Sequence, residues 1–194
     1  MTSEPELVTA ESRSAWRRWL QRNQQRPVGI WLEIHKKASS GRSVSYAEAV
    51  EEALCFGWID STANTLDEER YKLWFAPRKP SSSWSAINKE RVTRMIDQGR
   101  MSDAGLAVIE AAKANGPWDS LNDSDALIMP RDLASALKAS GEARRHWDAF
   151  PPGVRKQTLE WINSAKRDET RAKRITETAT LAARNERAHQ WRKR

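Results

Sequence analysis

Hydrophobic and polar positions alternate with period two over residues 28–35. Val28, Ile30, Leu32 and Ile34 point one way, and Gly29, Trp31, Glu33 and His35 the other. That pattern predicts a half-buried strand. The same alternation returns at 58–63 and at 70–76, where Tyr71, Leu73 and Phe75 share a face opposite Arg70, Lys72 and Trp74. Six residues join these two runs, a hairpin-scale link. Pro77 and Pro80 stop the second, because proline cannot donate to a ladder. Elsewhere the period is helical. Ala15, Trp16, Trp19 and Leu20 form a stripe over 10–23, with Thr9 as cap and Pro27 beyond its end. Residues 46, 49, 50, 53 and 54 form another over 46–55, stopped by Gly57.

From Ser82 onward no strand pattern survives. Helices are predicted at 83–98, capped by Ser82 or Ser83, then at 102–114, 130–139, 141–149, 153–166 and 169–190, the last capped by Asp168. Residues 1–9 read as a loose leader, and 115–129 as the longest irregular link. The fold class is therefore α+β: a small, mostly antiparallel sheet of about three strands with covering helices, followed by an all-helical C-terminal half. The expected domains are an α+β core over 10–118 and a helical region over 130–190 packed on it.

Composition narrows the picture. With 39% hydrophobic residues, 30% charged and ten tryptophans in 194, the chain is globular rather than disordered. No apolar run approaches the roughly 18 residues of a membrane helix. The start, MTSEPELVTAE, has no basic region followed by an apolar one, and a lone cysteine forms no internal disulfide. Both observations favour a cytoplasmic setting. The net charge of +7 is uneven: residues 155–194 hold 12 basic and 5 acidic side chains, while the first 154 hold 21 of each. The basicity belongs to the tail.

The blocks EALCFGWIDS (52–61), LDEERY (66–71), FAPRKPSSSWSAINKERV (75–92) and GRMSDAGLAVIEAAKANGPW (99–118) stand in this order. WINSAKRDETRAKRI (161–175) follows. In these blocks the chain resembles the bacteriocin-protection, YdeI/OmpD-associated family. The resemblance implies an α+β fold and an association with envelope stress and resistance to antimicrobial peptides. It implies no settled catalytic activity and supplies no catalytic residue.

The familiar chemical motifs are absent. GxGxxG, GxxxxGK[ST], GxSxG and HExxH do not occur. His35, His146 and His189 lie far apart, so neither a metal site nor a cofactor is expected. Cys55 reads either as a nucleophile or redox sensor, or as a small buried hydrophobe ending an apolar helix. Asp60 reads as a general base or ligand-orienting carboxylate, or as a partner in an ion pair. The loop PRKPSSSWS offers Arg78, Lys79 and serine hydroxyls just before a helix N-terminus, a setting suited to phosphate or carboxylate. Its bland counterpart is a proline-framed helix start with solvated charges. Asn88 lies one turn on and either faces the same cleft or caps a buried group. Trp16, Trp19, Trp147 and Trp161 sit on core stripes. Trp31 and Trp74 are core if both sheet faces are covered, and an aromatic wall otherwise.

These residues predict a non-enzymatic binding protein, and the resemblance implies that it serves stress protection. Arg78 and the amides of Ser83, Trp84 and Ser85 hold a small anionic ligand or peptide. Trp74 and Trp84 shape the walls, Asp60 orients the ligand, and Asn88 adds a polar group. One alternative is an enzyme using Cys55 or Asp60. Another is a nucleic-acid binder through the tail at 166–194. The acidic residues interspersed there, and Trp191 as its lone aromatic, favour a solvated helix face instead.

Overall fold

The computed structural model describes residues 5–189. The chain divides into two compact units, Met1–Asp119 and Ser120–Arg194. The first contains β1 (Leu7–Thr9), α1 (Arg13–Asn23), β2 (Ile30–His35), α2 (Tyr46–Cys55), β3 (Trp58–Thr65), β4 (Arg70–Pro77), α3 (Ala86–Asp97) and α4 (Asp103–Asn115). The sheet order is β1-β2-β4-β3. β4 runs antiparallel to both neighbours, placing Trp31 opposite Trp74 and Asp60 opposite Phe75.

The α+β class stands, with four strands rather than three. The extra one, β1, pairs parallel to β2, with Leu7 opposite Trp31. It lies in the stretch read as a loose leader. Three residues carry too little alternation to show as a strand, and only pairing to β2 defines it. Thr9 is therefore in the sheet. α1 is capped by Ser12, whose hydroxyl accepts the Ala15 N–H at 3.2 Å. β2 begins at Ile30, and Val28 is left exposed.

α2 starts on a reciprocal cap. The Ser45 hydroxyl accepts the Glu48 N–H, and the Glu48 carboxylate accepts the Ser45 N–H at 3.1 Å. Gly57, at φ +75°, then turns the chain into β3. The helix after the proline loop is capped by Ser85, not by Ser82 or Ser83. The Ser85 hydroxyl accepts the Asn88 N–H, so α3 begins two or three turn residues later than the serine run suggests.

Ile30, Leu32, Ile34, Trp58, Leu73 and Phe75 are buried on the sheet face that α1 and α2 cover. Trp16 of α1 meets Phe75 at 5.4 Å between ring centres, and Trp19 meets Trp58 edge-on at 5.8 Å. At the edge of this layer lies Glu52, with no exposed surface. One carboxylate oxygen accepts from Arg13 Nε at 2.6 Å and from Arg100. The other accepts from Arg17 Nη1 at 2.7 Å. Glu51 pairs with Arg13 at 2.9 Å and Arg94 at 2.6 Å. α4 packs close to the end of α2. The Ser102 hydroxyl donates to the Cys55 carbonyl at 2.7 Å. A Cβ on Gly105 would stand 2.2 Å from that same oxygen.

The second unit contains α5 (Asn122–Asp125), α6 (Arg131–Lys138), α7 (Gly141–Ala149), α8 (Pro152–Asn163) and α9 (Asp168–Ala183) around Leu133, Leu137, Trp147, Leu159, Ile162 and Ile175. Asp168 is the first residue of α9 rather than its cap, a place where a carboxylate favours the helix dipole. α9 stops at Ala183, short of 190, because Asn185 takes a left-handed backbone at φ +57°. Residue 190 itself is outside the described residues. Among the described residues no helix is long and apolar enough to cross a membrane.

Three substitutions test this packing by urea unfolding. Gly105→Ala is expected to cost about 1–3 kcal/mol, since the backbone of α2 cannot yield to the new methyl. Gly153→Ala, with open space around the added Cβ, should be neutral or slightly stabilising. Glu52→Gln should cost about 3–5 kcal/mol by leaving three guanidinium groups around an uncharged amide. A loss below about 1 kcal/mol would show that solvent already neutralises them.

Candidate anion site beside helix α3

β4 ends at Pro77, and the next residue turns inward. The Arg78 amide donates to the Gly57 carbonyl at 2.9 Å, pinning the loop to the start of β3. The side chain then runs across the Trp84 indole, its guanidinium carbon 3.8 Å from the ring centre. Only 8% of Arg78 is exposed. Nη2 donates to the Ser83 carbonyl. Nε and Nη1 are closed to solvent and have no partner among the described residues. The indole N–H groups of Trp84 and Trp58 are likewise buried without acceptors. The neighbourhood therefore has more buried donors than acceptors, an unusual imbalance in a protein interior.

The charge on Arg78 has a cost. Burial pushes its pKa down to about 10, while the charge of Asp60 acts in the opposite direction. Asp60 lies on the helix-covered face of β3, opposite Phe75. Its Oδ2 accepts the Tyr46 hydroxyl at 3.0 Å. Burial, and then the Asp60 charge, hold the Tyr46 phenol above its ordinary pKa, so it stays protonated and donates. Arg91 lies over the Tyr46 ring at 5.9 Å and donates to Asn88 Oδ1 at 2.9 Å. The fold thus assembles Arg78, Asp60, Trp84, Asn88, Tyr46 and Arg91 where β3, α2 and α3 meet.

Other residues singled out in the sequence fall elsewhere. Trp74 is on the opposite sheet face, meeting Trp31 edge-on at 5.1 Å. Period two puts neighbours of the buried Leu73 and Phe75 on that side, so Trp74 is not a wall of this site. The indole beside Trp84 is Trp118, at 5.1 Å. Amides also serve the fold. The Trp84 N–H donates to the Pro117 carbonyl at 3.2 Å, and the Asn88 N–H is taken by the Ser85 hydroxyl. Ser83 contributes its carbonyl to Arg78. Tyr46 and Arg91 went unnoticed in the sequence, although Arg91 stands three residues after Asn88, on the same face of one helix.

Cys55 is fully buried, and burial raises its thiol pKa to about 11. The histidines serve locally. His35 Nδ1 lies 2.8 Å from the Ser39 hydroxyl, His146 Nδ1 lies 2.9 Å from the Ala182 carbonyl, and His189 stacks on Trp161 at 4.9 Å. Among the described residues no three His, Cys, Asp or Glu side chains group as a metal site. In the basic tail, Arg171 bonds Asp132 at 2.6 Å and Arg174 lies over Trp161 at 5.1 Å. Trp191 is outside the described residues.

No curated protein and no solved structure matches the chain. Residues 8–108 match a family described as a domain of unknown function (DUF8412), and residues 126–185 match the family described as bacteriocin-protection, YdeI or OmpD-associated. The motif block around Cys55 and the proline loop falls in the first match, and WINSAKRDETRAKRI in the second. The chain therefore belongs to the DUF8412 family, whose match spans just over half of it, while its helical unit is similar to the bacteriocin-protection, YdeI/OmpD-associated family.

Proposed function

We propose that this is a stress-protection-type binding protein that takes a small anionic ligand or the carboxylate of a peptide at Arg78. The observation that supports the reading is the buried guanidinium whose Nε and Nη1 are unpaired. An unmet buried donor costs about 1–3 kcal/mol, and more when charged. A carboxylate or phosphate oxygen is the natural complement, through short charge-assisted bonds. Ser83 and the rest of the 79–83 loop close the site. The ligand displaces the Ser83 carbonyl from Nη2 and gains the planar edge of the guanidinium. Trp84 keeps that plane fixed by stacking. Ser85 caps α3 and so sets the position of Asn88, which with Arg91 and Tyr46 forms the polar rim. Asp60 orients what binds.

Titration of the protein with acetate, inorganic phosphate and short acidic peptides, followed by tryptophan fluorescence and thermal shift, tests the reading. At least one anion is expected to saturate, and Arg78→Met to weaken it by about tenfold or more. Absence of any saturable response, or an equal response in the variant, overturns it.

An enzymatic reading through Cys55 has its own test. A thiol buried and held near pKa 11 is expected to react with an aromatic disulfide reagent only slowly at pH 8 and completely after denaturation. Rapid labelling of the native protein would restore a reactive role.

A further inference from the structure

The Arg78 site holds both signs of charge, and their separation is informative. Arg78 and Asp60 are close enough for the carboxylate charge to act on the guanidinium, yet they form neither an ion pair nor a hydrogen bond with each other. Two opposite charges at the edge of a core would ordinarily meet, because each is otherwise left with unmet bonding capacity. Here each is held back by the fold. Arg78 is fixed by the Trp84 ring, the Ser83 carbonyl and its own amide on Gly57. Asp60 is held by the Tyr46 hydroxyl on Oδ2, while Oδ1 has no partner among the described residues.

A plain anion fits this pair incompletely. It answers the donors of Arg78 but is brought beside the like charge of Asp60. Arg78 and Asp60 together carry no net charge, which suits a ligand with one charge of each sign better than a doubly charged phosphate. Resting on the anion-binding reading of this site, we infer that its ligand is a small zwitterion of the α-amino-acid class, its carboxylate on Arg78 and its ammonium on Asp60. The ammonium donates to Oδ1, the acceptor that Tyr46 leaves open. Tyr46 stays protonated and keeps its hydrogen on Oδ2. The ligand's side chain lies toward the Tyr46 ring, which is 42% exposed, and Ile87 in the first turn of α3, which is 57% exposed.

The test compares ligands in the full-length wild-type protein by calorimetric titration: L-leucine, its N-acetyl derivative, isovalerate and isoamylamine. L-leucine is expected to bind about tenfold or more tighter than either carboxylate lacking the ammonium, and isoamylamine to bind weakly. Asp60→Asn should remove that preference by weakening L-leucine, while isovalerate, relieved of the like charge, binds at least as tightly as to the wild type, with an unchanged circular dichroism spectrum. If isovalerate or N-acetyl-leucine binds as tightly as L-leucine, the zwitterion assignment falls and the anion site stands. If none of the four binds, and acetate and phosphate also fail, both fall. If the amine alone binds best, Asp60 rather than Arg78 is the anchor, and the assignment is overturned.

Discussion

A carboxylate with no exposed surface, Glu52, holds the first unit together at the point where three segments meet. It draws Arg13 and Arg17 from α1 and Arg100 from the turn after α3, with both oxygens bonded. Burying one negative charge is tolerable only when positive charge and donors surround it. That requirement sets where α1 and the α3–α4 turn lie relative to α2. Tyr46 stands at one end of that helix, and Cys55 with Gly57 at the other. Gly57 receives the Arg78 amide, and Tyr46 reaches Asp60. The candidate site and the ion cluster thus share one helix, α2.

Arg78 presents the opposite case within the same unit. Glu52 is buried with both oxygens bonded, whereas Arg78 is buried with two of its nitrogens unmet. The first arrangement stabilises a fold. The second weakens one unless something else supplies an acceptor. Stacking on Trp84 returns part of the loss, since cation–π contacts contribute about 2 kcal/mol when desolvated. The remainder is the physical ground for reading the position as a binding residue.

Much of the architecture was legible in the chain. Period-two alternation located β2, β3 and β4, and the spacing of small apolar residues located α2 to the residue. The site was legible in part. Arg78, Trp84, Asn88 and Asp60 come together, while Trp74 went to the other face by the very alternation that revealed its strand. β1 escaped because three residues carry no period. The Glu52 cluster escaped because glutamate and arginine read as solvated until their partners are known. Arg13 and Arg17 lie one turn apart beside the Trp16–Leu20 stripe, and Glu52 lies between Ala49 and Ala53 on the packed side of α2. Local patterns carry that much, but the pairing itself is a contact between segments far apart in sequence. Trp118 joined Trp84 in the same way, through the Pro117 carbonyl that fixes the loop after α4.

On the proposed reading, Arg78 is kept charged at the expense of stability, for the sake of what it binds. Chemical unfolding of Arg78→Met beside the wild type measures that directly. Methionine fills a similar length and packs on the Trp84 ring without a charge to bury. The variant, free of ligand, is expected to be as stable as the wild type or more so. A loss of about 3 kcal/mol or more would contradict it, and would make Arg78 a structural tie between the proline loop and the core.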